Sequence, residues 1–134
     1  MIHTNKGLDL PISGAPSLEI DSSTAINSIA LLGPDFVGLK PTMLVKEGET
    51  VAAGQKLFED KKNPGVYITS PSSGVVQSIN RGEKRRFLSL VIEIDNSIEA
   101  QEFYLNSYDS SIKFLIDSGA FSYFKTRPYN RIPS

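Results

Sequence analysis

Apolar and polar positions alternate most strictly along Phe87–Ile94: Leu88, Leu90, Ile92 and Ile94 fall on one face, Phe87, Ser89, Val91 and Glu93 on the other. Successive side chains of an extended chain point to opposite faces, so this period of two predicts a strand with one face in a core. Each fully buried aliphatic side chain there is worth roughly 1.5–3 kcal/mol, which makes it the strand a core could least lose. Two shorter runs, Lys56–Phe58 and Val66–Thr69, flank Asn63-Pro64-Gly65. Proline presets φ at the first central position of a type II turn and glycine accepts the positive φ of the second, so the pattern predicts a hairpin. Met43-Leu44-Val45 and Val51 lie either side of Glu47-Gly48-Glu49 and read as strand, turn, strand. Val75, Val76 and Ile79 lead to a second Gly-Glu turn at Gly82-Glu83. The echo between these two units suggests a small β-sandwich of paired halves.

The flanks are less regular. Leu8, Leu10 and Ile12 alternate with Asp9 and Pro11, which predicts a short edge strand. Leu18, Ile20, Ile26 and Ile29 surround Asp21-Ser22-Ser23-Thr24 and suggest a second hairpin, with Asn27–Leu32 as a buried strand stopped by Gly33-Pro34. Beyond a polar spacer the period changes: Ile112, Leu115 and Ile116 sit at helical spacing, Asp109 or Ser110 is placed to cap the N-terminus, and Gly119 to follow the C-terminus. The apolar stripe of that helix is expected to pack on the core or on a neighbouring domain. Lys125–Arg131 reads as extended, with an aromatic residue between two arginines.

Composition narrows the chemistry. The 134 residues suit one domain able to bury its own core, and eight prolines with ten glycines favour short strands and many turns. A net charge of −1 gives no overall field to recruit nucleic acid. Without cysteine there is no disulfide, thiolate nucleophile or Cys-ligated cluster. No apolar run approaches membrane-spanning length and no signal-peptide pattern opens the chain, so a cytoplasmic protein is expected. Gly33-Pro34-Asp35-Phe36-Val37-Gly38-Leu39-Lys40-Pro41 comes near a phosphate-binding loop, but its lysine is displaced and Pro41 prevents the helix such a loop must open. Phe36 in that loop is either buried against the sandwich or part of a flat apolar wall. His3 stands alone, Ser72 lacks the flanking glycines of a nucleophile elbow, and Glu59-Asp60 and Glu47/Glu49 flank turns. No catalytic constellation emerges. Arg81, Lys84, Arg85 and Arg86 gather around Glu83 with no interleaved aromatic, which fits a solvated turn or a salt-bridged contact with another domain or subunit better than nucleic acid.

Two resemblances follow from longer stretches. VKEGETVAAGQKLFEDKK followed by SPSSGVV resembles the lipoyl/biotinyl-carrier pattern, with Lys61 and Lys62 near the hairpin tip where a carrier presents its modified lysine. Competing lysines and the Pro-Gly turn directly after them depart from that pattern, so covalent lipoate or biotin is not expected. KGLDLPISG, ALLGPDFVGLKPTMLVKEG, LFEDKKNPGV, INRGEKR and KTRPYNRIP, in this order from residue 6 to residue 133, are similar to the N-terminal part of the longer NqrA family of sodium-translocating NADH:quinone reductases.

The resemblance implies a mainly β fold (α+β overall), a barrel-sandwich hybrid of the lipoyl/biotinyl-carrier type. Residues 1–38 would be an N-terminal strand-rich segment, 39–95 the sandwich, and 96–134 a linker, a helix and the start of a next domain, with Arg131-Ile132-Pro133-Ser134 inside a longer polypeptide. It implies a subunit of a translocase at the cytoplasmic face of the bacterial inner membrane. The assembly would pass electrons from NADH to quinone and expel sodium, with flavins and an iron–sulfur centre in partner subunits, chiefly a flavin-bearing membrane subunit, and no redox cofactor here. Leu32, Gly33, Phe36, Val37, Gly38 and Leu39, with Arg127, Pro128 and Tyr129, would be quinone-proximal; Arg81, Lys84, Arg85 and Arg86 would contact partners. The alternatives are a domain of the C-type component of the related electron-transport complex and a lipoyl/biotinyl carrier.

Overall fold

The protein is described by a computed structural model over residues 13–133. The expected edge strand at Leu8, Leu10 and Ile12 and the lone His3 lie outside the described residues. Among the described residues, seven strands form two antiparallel sheets. In the first, β1 (Ser28–Leu32), β7 (Phe87–Ile94), β6 (Gly74–Arg81) and β3 (Thr50–Val51) lie in that order; in the second, β2 (Pro41–Met43), β4 (Lys56–Asp60) and β5 (Tyr67–Thr69). The core between them takes Val51, Val76, Phe87, Leu90 and Ile92 from one side and Leu57, Phe58 and Ile68 from the other. This is the predicted mainly β sandwich, followed by one helix, α1 (Ser111–Asp117).

The Asn63–Val66 turn forms as read: Val66 N–H donates to Asn63 O at 3.0 Å, and Gly65 holds φ +91°. Three register shifts explain what strict alternation missed. On β7, Ser89 opposes Asn80 while Phe87 opposes Arg81, so Leu88 is an extra residue. The bulge reverses the parity of the strand's first residue. Phe87 therefore enters the core at 6% exposure, while Leu88 and Ile94 are only half-buried, correcting the assignment of all four aliphatics to the core. On β6 the extra residue is Gln77, which points to solvent. On β4 it is Leu57, and two consecutive residues, Leu57 and Phe58, are both fully buried.

The flanks correct the sequence reading further. Residues 17–27 form no hairpin: Leu18 and Ile20 are 94% and 93% exposed. Among the described residues β1 is an edge strand rather than a buried one, with Ile29 and Leu31 turned toward Ile92 and Leu90 and with Ser28, Ala30 and Leu32 exposed. Helix α1 is capped by Ser110, whose Oγ accepts from Ile112 N–H at 3.3 Å, and Gly119 follows it in the left-handed region. Its stripe does not enter the core, since no residue of α1 is buried and Ile112 is exposed. Seven residues are too few for a helix to hold by propensity alone. Contacts at its C-terminal end and just beyond fasten it instead: Lys56 Nζ to Asp117 at 2.7 Å, Thr69 Oγ1 to Ser118 O at 3.4 Å, and Phe121 against the core. The ion pair is partly exposed, its side chains at 34% and 28%, and contributes at most about 1 kcal/mol.

Candidate functional site

Gly33-Pro34-Asp35 forms a 3-10 turn that ends β1 and starts a loop running to Lys40. Proline fits there because the first N–H groups of such a turn have no internal partner. A methyl group on Gly33 would collide with the carbonyl oxygen of Phe87, so the loop's first residue lies directly on the backbone of β7. Phe36 turns inward, its ring edge-on to Phe58 at 5.8 Å between centroids, and Phe58 in turn meets Phe87 at 5.2 Å. Of the two expectations for Phe36, burial against the sandwich is thus realised, and its remaining surface also lines a cleft. Val37 and Gly38 stay exposed, and Leu39 packs partly on the core.

This loop separates two clefts. The larger, about 610 Å³, lies between the loop and the Arg81–Phe87 turn. Gly33, Phe36 and Phe87 contribute its apolar surface; Lys40, Arg81, Lys84, Arg85 and Arg86 contribute its charge. Sequence reasoning held the loop and the basic cluster as separate features, and the fold makes them opposite walls. Lys84 and Arg85 both have positive φ, 52° and 60°, a conformation costing roughly 1–2 kcal/mol for each non-glycine residue. The turn is held by its own backbone: Gly82 N–H donates to Arg86 O at 2.8 Å, Arg85 N–H to Gly82 O and Arg86 N–H to Glu83 O, both at 3.1 Å.

The smaller cleft, about 290 Å³, lies between Val37-Gly38-Leu39 and the segment from Thr126 to Pro133. Arg127, Pro128 and Tyr129 are exposed on the turn closed by the Thr126–Arg131 bridge and line neither cleft; Leu32 is exposed on β1 and lines neither. The residues that reach the loop are Arg131, whose guanidinium lies beside Gly38, and the buried Ile132. Asp60 is buried on the opposite side; one carboxylate oxygen accepts the N–H groups of Lys40 at 3.0 Å and Lys62 at 3.1 Å. Lys62 Nζ donates to Gly38 O at 3.0 Å, which ties down one of the two lysines a carrier domain would modify. Neither Asp60 nor Arg131 stands out as a site residue in the sequence, because Asp60 is brought to the loop by the pairing of β4 with β2 at Pro41 and Arg131 by the packing of a segment distant along the chain.

Lys125 stands over the other side of Phe36, its ammonium 5.6 Å from the ring centroid. Partial burial pushes its pKa below the ordinary lysine value, opposed by the Asp35 carboxylate. Ser73, in the SPSSG segment, is buried with its Oγ accepting from Ala53 N–H at 2.8 Å, which gives that serine a structural partner. Among the described residues there is no metal-binding group of His, Asp and Glu, and no helix long and apolar enough to cross a membrane.

Residues 2–95 match the family described as the NqrA N-terminal barrel-sandwich hybrid domain. Over the whole chain it is 50% identical to the NqrA protein of the Na(+)-translocating NADH-quinone reductase of Photorhabdus laumondii, covering 32% of that protein. It is 45% identical to the corresponding protein of Actinobacillus pleuropneumoniae and 47% identical to that of Haemophilus influenzae, again over the whole chain and over 31% and 32% of those proteins. The chain thus spans about a third of the length of these curated relatives.

Proposed function

The chain belongs to the NqrA N-terminal barrel-sandwich hybrid domain family, and from that premise we propose that it works as the N-terminal domain of the NqrA component of a sodium-translocating NADH:quinone reductase. The observation that carries this reading is identity of 45–50% along the entire chain to proteins of that name. Its role is to shape a quinone-facing surface and to join partner subunits, among them a flavin-bearing membrane subunit. It holds no redox cofactor; flavins and the iron–sulfur centre belong to its partners. It sits peripherally at the cytoplasmic face of the inner membrane.

The smaller cleft suits a quinone head group. Val37, Leu39 and Ile132 offer apolar surface to a flat ring, while Arg131 and Lys62 supply cations. A guanidinium near a quinone oxygen favours the negative charge that develops there on reduction. Gly33 and Phe36 anchor the loop on the sandwich, Leu32 leads into it from β1, and Arg127, Pro128 and Tyr129 form the turn joining two lining residues, Thr126 and Arg131.

Arg131→Gln and Arg127→Gln in the full-length protein, assembled in its complex, test this reading. The expected result is a rise of about tenfold in quinone KM for Arg131→Gln, equivalent to about 1.4 kcal/mol, and a smaller rise for Arg127→Gln. Unchanged quinone kinetics in both would remove the quinone-facing assignment. Failure of the intact protein to co-purify with the other subunits would remove its assignment to the complex.

A further inference from the structure

The larger cleft lies on the opposite side of the loop from the proposed quinone surface, and its chemistry is different. Lys40, Arg81, Lys84, Arg85 and Arg86 face one concavity. Among the described residues the ion pair formed is Lys56–Asp117, so none of these five cations has a carboxylate within ion-pair distance there. Glu83, in the same turn, is exposed and leaves the charge strongly positive. Left unpaired, such a cluster repels itself. The turn nevertheless presents the side chains on a backbone with two successive positive-φ residues, closed by its own hydrogen bonds. Because the N–H groups of Arg85 and Arg86 are already used, an anion must be met by the side chains. Guanidinium groups favour carboxylate and phosphate because their paired donors match two oxygens at once.

Shape decides between a flat anionic surface and an inserted one. The apolar groups beside the cations, Phe36 and Phe87, lie in the concavity, and Phe87 is buried. They cannot reach into a lipid bilayer pressed against the rim, but a protruding side chain of an extended segment can reach them. We propose that this cleft seats an acidic, extended segment of a partner subunit. Its carboxylates pair with Arg81, Lys84, Arg85 and Arg86, and one of its apolar side chains lodges against Phe36 and Phe87. This rests on the reading of the chain as part of a larger assembly.

The test places the photo-crosslinker p-benzoylphenylalanine at position 84, and as a control at the exposed Gln77, in the full-length protein assembled in its membranes. The expected product at position 84 is a crosslink to a peptide of another subunit in which Asp and Glu are clustered. Adducts to phospholipid alone, to a peptide without clustered carboxylates, or no more product than at position 77 would each overturn the proposal. A second measurement combines Arg81→Glu, Arg85→Glu and Arg86→Glu. Recovery of the partner subunits should fall about tenfold at low salt and the intact protein should lose partners as salt rises, whereas replacing the same three arginines by lysine should retain them. Undiminished recovery with the three glutamates would reject the acidic segment while leaving the reading of the chain as part of the complex intact. Should the triple variant fail to fold, judged by its melting temperature, the crosslink decides.

Discussion

The ring of Phe36 stands at 89° to the ring of Phe58, centroids 5.8 Å apart, and through this edge-on contact the surface loop is rooted in the centre of the sandwich. Phe58 is fully buried and also meets Phe87 on the first sheet. Three aromatics thus connect a cleft wall, the core and the basic turn.

Phe36→Ala is expected to lower the unfolding free energy of the full-length protein by about 2–3 kcal/mol, below the 3–5 kcal/mol typical of a fully buried phenylalanine because Phe36 keeps part of its surface in solvent. Denaturant unfolding of variant and parent measures it. A loss below about 0.5 kcal/mol would mean the loop is not anchored through this ring.

Gly119→Ala attacks the junction between α1 and the sheet in two ways. The position has φ +78°, and a methyl group would overlap the Thr69 hydroxyl. A loss of about 2–3 kcal/mol is expected, of which roughly 1 kcal/mol is backbone strain. Adding Thr69→Ala should return the steric part and leave the strain, and a double-mutant cycle over the two positions separates them. Strict additivity would show that the contact is relieved by movement of the helix.

The lowered pKa of Lys125 has a definite sign in stability. Burial disfavours the ammonium in the folded state, so the unfolded chain binds the proton more tightly. The resulting penalty is complete below the folded pKa and is relieved as pH rises through it toward the ordinary lysine value of 10.5. Lys125→Met should therefore flatten the stability profile over that alkaline window. The lost contact with the Phe36 ring and the attraction of Asp35 oppose the gain at neutral pH. Unfolding of parent and variant from about pH 7 to about pH 10 reads the difference; parallel profiles would mean the ammonium is as well solvated folded as unfolded.

Local chemistry was legible in the sequence. Pro64-Gly65 specified the hairpin turn, Ser110 and Gly119 bracketed the helix, and the alternation of Phe87–Ile94 located the central strand. Inserted residues escaped it, because Leu57, Gln77 and Leu88 are ordinary strand residues and their doubling is set by the partner strand. Leu18 and Ile20 misled for a related reason: an apolar residue predicts burial only where a neighbour covers it. The site divided in the same way. The loop and the basic cluster were visible as local features, whereas their apposition across one cleft, and the approach of Arg131 to Gly38, depend on contacts distant along the chain.

The absent side chain at Gly33 has a mechanical corollary. Where main chain rests on main chain, no rotamer can yield, and the span between the loop and the cationic turn is set like the jaw of a fixed wrench. A guest must then match that gauge before its charge can matter, and exchanging surface residues would retune the grip without altering the bore.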